Sequence, residues 1–310
     1  MNTVLENVPA RDSLLSIRSL SKSIDGKEIL KNVHFDVPPG RVVGFLGRNG
    51  AGKTTTIKAA LGFTDYSGDI EVMGQNPKTS RHRVMGSVSF ISDVGILPRW
   101  LRVDQALDFM AAVHPHFQVE QAKALLADSQ IGATAQISSL SKGMVTQLHL
   151  ALVLALDSQL LVLDEPTLGL DLLYREAFYR QLYERFLNES RSLLISTHQI
   201  EEIEFLLSDL VMIDQGQILL NDTIENIAAK YVSIEVAPES LASARARKPI
   251  YERANLAGAV MIFEDHPDTD WQSLGQVRQT SLAELFVALV GDTSPAGSHH
   301  QEMNDEYCFE

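Results

Sequence analysis

Cysteine is nearly absent: one of 310 residues, Cys308, so no disulfide can form within the chain. That fits a reducing compartment. Long apolar runs are missing too. The longest, Leu148 to Leu156, is broken by His149 and bounded by Gln147 and Asp157. A bilayer-spanning helix needs about 20 apolar residues, so work at a membrane requires another chain to supply the span. Met1 to Arg11 is polar and lacks the apolar core of a signal peptide. Basic residues are scarce: 26 Lys and Arg stand against 40 Asp and Glu, a net charge of -14. A surface for nucleic acid demands Lys and Arg, so no nucleic-acid partner is expected. No repeat of fixed period is visible, which argues against a solenoid.

Hydrophobic residues make up 45% and charged residues 21%, the balance of a globular protein. Strand-like runs cover Leu14 to Leu20 and Val33 to Val37, followed by a turn at Pro38-Pro39-Gly40. Val42 to Leu46 is a short apolar run suited to a buried parallel strand, with a helix expected from Lys53 to Leu61. Further strands are expected at Asp69 to Met73, Val88 to Ile91, Leu160 to Leu163 and Leu193 to Ser196. Helical patterning covers Val103 to Ser129 with a break at His114-Pro115, then Ser141 to Leu156, Leu172 to Leu187 and Gln199 to Leu207. Alternating strands and helices imply an α/β core with a mostly parallel sheet. Beyond residue 220 the texture changes to a short helix at Thr223 to Lys230 and strands at Val232 to Val236 and Val260 to Phe263. A closing helix, Ser281 to Val290, has Leu282, Leu285, Phe286 and Leu289 on one face. The polar stretch from Thr293 to Glu310 reads as disordered.

Two segments carry chemistry. Gly47-Arg48-Asn49-Gly50-Ala51-Gly52-Lys53-Thr54 fits a phosphate-binding loop, lying between an apolar strand and a helix. Glycines let backbone N–H groups converge on phosphate oxygens, and Lys53 brings charge to the terminal phosphates. The Thr54 hydroxyl suits Mg²⁺, and Thr55 continues the helix start. Leu160-Leu161-Val162-Leu163-Asp164-Glu165 places two acids at the carboxyl end of a buried strand, where open α/β sheets bind ligands. Asp164 suits Mg²⁺, and Glu165 suits polarising the attacking water.

With these in place, the order of motifs resembles the nucleotide-binding subunit of ABC transporters. Leu140-Ser141-Lys142-Gly143-Met144 resembles the family's signature, which binds ATP held by a second subunit. Ser141 also reads as a plain helix N-cap. Leu168-Gly169-Leu170-Asp171 resembles the loop that couples the two subunits. Ser196-Thr197-His198 resembles the switch histidine, which senses the γ-phosphate, and Gln215-Gly216 a closing hairpin. The likeness covers about Leu14 to Leu220 and is that of a bacterial exporter of drugs, peptide antibiotics or lipids.

It implies a P-loop ATPase core over residues 13–220, with an N-terminal antiparallel β-subdomain and a helical insertion at about 93–157. A small α+β accessory domain is expected at 221–292 and a tail at 293–310. The implied activity is hydrolysis of ATP with Mg²⁺, using Lys53, Glu165 and His198, with Ser141, Gly143 and Asp171 at the shared nucleotide site. The implied partners are an integral-membrane permease and a second ATPase subunit, the pair lying on the inner face of the cell membrane. The alternative is an ABC-type ATPase acting on nucleic acid or ribosomes. It is disfavoured by the acidic charge and by the lack of a second core or long coiled coils.

Four positions depart from the family. Ile24 stands where an aromatic usually stacks on adenine. Asp93 stands where a Gln usually senses Mg²⁺. Lys142 and Met144 replace a Gly and a Gln in the signature.

Overall fold

A computed structural model describes residues 13–92, 97–114, 116–127, 129–167, 172–187, 190–264 and 269–291. They form two compact units, one ending at Ile224 and one beginning at Glu225. The division falls past residue 220 because the last strand of the first unit stays paired as far as Thr223.

The first unit opens with β1 (Leu15–Ile24) and β2 (Lys27–Val37), an antiparallel pair whose turn holds Asp25 and Gly26 at positive φ. β3 (Val42–Gly47) is buried throughout and leads into α1 (Lys53–Ala60). β4 (Ser67–Val72) pairs with β1, completing a three-stranded antiparallel sheet in the order β2-β1-β4. α2 (Pro77–Ser87) starts on the Asn76 cap, whose side chain accepts the Lys78 N–H, with Pro77 at the first helical position. It escapes the apolar periodicity because Val84 is the only buried side chain beyond Pro77. β5 (Val88–Ser92) follows directly.

The helical layer holds α3 (Val103–Val113), α4 (Val119–Ala127) and α5 (Lys142–Leu154). They share a core that includes Val103, Leu107, Leu148 and Leu152. β6 (Leu160–Asp164), α6 (Leu172–Arg185), β7 (Ser192–Thr197), β8 (Asp209–Asp214) and β9 (Gln217–Thr223) complete the unit. The main sheet has the order β5-β6-β7-β3-β8-β9, parallel except for the β8–β9 hairpin. Five buried residues in β6 and six in β7 explain why these strands read as unbroken apolar runs.

One expected helix is absent. Gln199 to Leu207 forms two 3₁₀ turns, Ile200–Glu202 and Glu204–Leu206. Its buried residues, Ile200, Ile203 and Leu206, recur every third position, the period of a 3₁₀ turn rather than an α-helix.

The second unit begins with α7 (Ile224–Lys230) and β10 (Tyr231–Val236). α8 (Leu241–Arg245), β11 (Tyr251–Asn255), β12 (Gly258–Glu264), β13 (Gly275–Gln279) and α9 (Leu282–Gly291) follow. Its antiparallel sheet runs β11-β12-β10-β13. Val232, Ile234, Val236, Met261 and Phe263 pack on one face with Leu274. Glu284 ties α9 to both edge strands by accepting from Arg253 and Arg278 at 2.7–2.9 Å. The buried stripe of α9 is Leu282, Leu285 and Ala288; Phe286 and Leu289 are only half-buried, a rotation from the expected face.

Candidate active site

The phosphate loop leaves the carboxyl end of β3. Gly47 is required by its neighbour: a Cβ there would lie 2.6 Å from the Ile213 carbonyl oxygen on β8. Gly52 has φ +113, and a Cβ would meet Leu30 Cδ2 at 2.6 Å. Strand β2 therefore packs against the base of the loop. Gly52 caps α1 without any side-chain hydrogen bond, and the first turn carries no acid. The helix thus presents uncapped N–H groups and its positive dipole end, the arrangement that suits an anion. Arg48, Asn49, Gly50 and Thr54 are exposed, Thr55 is half-buried, and Ala51 and Lys53 are buried. Lys53 Nζ donates to the Gly47 carbonyl at 2.6 Å and lies 3.1 Å from Glu165 Oε1.

Sheet order brings the acids to this loop. β7 lies between β6 and β3, pairing Asp164 with Ser196 and Leu46 with Thr197. Asp164 is buried and its Oδ1 accepts the Ser196 hydroxyl. The chain turns sharply at Glu165, whose φ of 50° lies in the left-handed region. Such a conformation costs a non-glycine residue about 1–3 kcal/mol and needs its surroundings to hold it. Here the Glu165 N–H is shared between the Ser196 carbonyl and hydroxyl oxygens, both at 3.2 Å.

His198 Nδ1 is 2.8 Å from Glu165 Oε2. A carboxylate only accepts, so the ring donates from Nδ1. The other oxygen, Oε1, is within ion-pair distance of Lys53, yet it is buried and no donor hydrogen is aligned on it. That oxygen keeps acceptor capacity beside the phosphate loop. A carboxylate so placed can take a proton from water.

The other expected site residues are distributed differently. Ser141 is the N-cap of α5, its hydroxyl accepting the Met144 N–H at 3.3 Å. Gly143 is buried in the same turn. This turn packs on the helical-layer core through Met144, whereas the phosphate loop packs on the sheet core through Ala51. Ile24 ends β1 with 45% of its surface exposed. Asp93 and Asp171 lie outside the described residues.

Four residues without an assigned role also join the site's support. Ser196 belongs to the histidine segment, and strand pairing sets it opposite Asp164. Thr167, Arg175 and Glu202 form a polar cluster behind Glu165 and His198. No sequence spacing advertises them.

The donor set fits a nucleotide triphosphate. Backbone N–H groups and buried Lys53 suit phosphates, while Thr54 and Asp164 offer oxygens for a hard cation. Among the described residues no group of three or more His, Cys, Asp and Glu gathers as a metal site. Mg²⁺ usually binds through one or two protein oxygens and completes its shell with phosphate oxygens and water.

A phosphate loop, a strand-end acid pair and a neighbouring histidine on a mostly parallel sheet define a P-loop nucleoside triphosphatase. Residues 30–168 match the family described as ABC transporter. The chain is 27% identical over 293 residues to the ABC transporter ATP-binding protein YtrB of Bacillus subtilis, covering 90% of this chain and 98% of that protein. It is 29% identical over 304 residues to the Nod factor export ATP-binding protein I of Burkholderia pseudomallei, covering 89% and 97%. A solved structure of an ATP-binding subunit of an ABC transporter matches with a TM-score of 0.63 at 25% identity, covering 69% of this chain and 92% of that one. Residues 30–168 thus carry an ABC transporter domain, and the chain is similar along most of its length to ATP-binding subunits of such transporters; it is a transporter-coupled ATPase. Among the described residues, no helix is long and apolar enough to cross a membrane.

Proposed function

We propose that this chain hydrolyses ATP with Mg²⁺ at a site shared between two ATPase subunits, and so drives a separate integral-membrane partner in the direction of export. The observation that carries the reading is the convergence of Lys53 and His198 on the two oxygens of Glu165. The Gly47–Thr55 loop holds the phosphates through backbone N–H groups and Lys53. Thr54 and Asp164 hold the cation, which when bound neutralises charge on the phosphates. Glu165 orients the water and receives its proton, and His198 steadies the carboxylate through Nδ1. Positioning and electrostatics supply most of the rate enhancement in such chemistry.

The second subunit supplies the Ser141–Gly143 turn, whose helix N-terminus and hydroxyl suit the γ-phosphate. Asp93 and Asp171 take the cation-sensing and subunit-coupling places. The likeness to a Nod factor export ATP-binding protein supports the export direction. On this reading the membrane-spanning partner is a separate chain and this subunit sits peripherally on the inner face of the membrane; among the described residues no helix is long and apolar enough to cross it. The compact unit after Ile224 is an accessory domain.

The deciding experiment is purification of the tagged full chain from detergent-solubilised membranes. Recovery of a multi-span protein in a fixed ratio, with ATP hydrolysis raised by that partner, is expected. Recovery with ribosomes or DNA and no membrane protein would overturn the reading.

A further inference from the structure

Behind the glutamate and the histidine lies a connected set of polar side chains that the reaction itself does not use. Thr167 follows Glu165 by two residues, with Pro166 between them, and is buried. Its Oγ1 is 3.1 Å from the Tyr179 hydroxyl on α6 and 3.2 Å from Glu202 Oε2. A carboxylate only accepts, so Thr167 donates to Glu202 and must accept from Tyr179. Burial pushes the Tyr179 hydroxyl well above the ordinary tyrosine range, which keeps it a donor.

The other carboxylate oxygen of Glu202 pairs with Arg175 Nη1, also from α6. The same nitrogen donates to Gln199 Oε1 at 3.2 Å. Gln199 adjoins His198, and its own N–H donates to Thr197 Oγ1 at 2.9 Å. Side-chain exposure is 24% for Arg175 and 13% for Glu202, so water screens this pair less than a surface ion pair. Glu202, itself in the segment after His198, thus bonds the segment after Glu165 through Thr167 and helix α6 through Arg175. Glu202 ends the first of the 3₁₀ turns that replace the expected helix and Gln199 caps its start, and both reach Arg175 on α6 from there.

We propose that Glu202 and Arg175 are positioning residues that lock the chain following β6 to the chain following β7, so that Glu165 and His198 hold one relative geometry through the ATPase cycle. The inference rests on the assignment of Glu165 and His198 to catalysis. These bonds of Glu202 and Arg175 run to Thr167 and Gln199 and to each other rather than to the phosphate loop, so the effect expected is on the chemical step rather than on ATP affinity. Misplacement of a reacting group by about 1 Å costs roughly a hundredfold in rate.

The test uses the full chain with Glu202→Gln, Arg175→Gln, the double variant and Tyr179→Phe, measuring kcat, KM, nucleotide binding and thermal unfolding. Each single change at the pair is expected to lower kcat by about tenfold or more with KM within about threefold. The double variant is expected to be no slower than the worse single, because both remove one connection. Tyr179→Phe removes only the donor and keeps the ring. It is expected to lower kcat by about threefold with unfolding unchanged, and it keeps the proposal testable if a change at the buried pair prevents folding. Unaltered kcat in folded Glu202→Gln, additive losses in the double variant, or a rise in KM alone would overturn the pairing. Glu165→Gln and His198→Ala run alongside. If they keep full turnover, the site assignment fails and this inference with it; if they lose turnover while Glu202→Gln does not, the pairing alone fails.

Discussion

Replacing Glu165 by glutamine keeps the size of the side chain and an oxygen able to accept the His198 Nδ1–H, but removes the charge. The structure separates two consequences. For folding, the question is whether Lys53, which is 6% exposed, is left as a stranded cation. A buried charge losing its partner costs about 3–5 kcal/mol. Lys53 keeps its 2.6 Å bond to the Gly47 carbonyl, however, so the expected loss is nearer about 1 kcal/mol. For turnover, the proposed role makes Glu165 Oε1 the acceptor for the proton of water, and an amide oxygen cannot take that proton. General-base catalysis contributes about 10²–10⁴-fold, equivalent to about 2.7–5.5 kcal/mol of barrier. The assay pairs single-turnover phosphate release with thermal unfolding in the presence of ATP. Turnover should fall by that factor while saturating ATP still stabilises the chain, by about 2.7 kcal/mol at a hundredfold excess over Kd. Turnover within about threefold of the parent would refute the role of Glu165. Loss of the ATP-dependent stabilisation would refute the separation of chemistry from binding.

In the proposed site Ile24 would cover the base without stacking, so ATP and GTP should be hydrolysed at similar rates; Ile24→Tyr should tighten ATP binding by about 1 kcal/mol. Steady-state rates and fluorescence titration check this, and a strong ATP preference in the parent chain would contradict it. His149 on α5 has a buried Nδ1 without a hydrogen-bond partner, and burial lowers its pKa from 6.5 to about 4. The neutral ring is favoured in the fold, so its contribution is complete above pH 6.5 and falls away as pH drops toward 4, by at most about 3 kcal/mol. Urea unfolding across that window should show the slope, and His149→Leu should flatten it.

Local sequence determined the parts whose physics is local. Gly47 to Thr54 announces a phosphate loop because glycines, a lysine and a helix start must be contiguous to surround an anion. Leu160 to Glu165 announces a buried strand ending in acids because burial on both faces demands an unbroken apolar run. The edges of the second unit, β11 and β13, carry mostly exposed residues and left no such pattern. Gln199 to Leu207 misled because apolar spacings of three and four look alike over one turn. Only the tertiary structure decided that β7 lies between β6 and β3, which sets Ser196 against Asp164, brings His198 to Glu165, and carries both to Lys53. The same packing joins Glu202 to Thr167 and Arg175, which lie 35 and 27 residues before it in the chain and are individually ordinary. Strand order and side-chain convergence depend on long-range contacts, and no short stretch of residues encodes those by its own pattern.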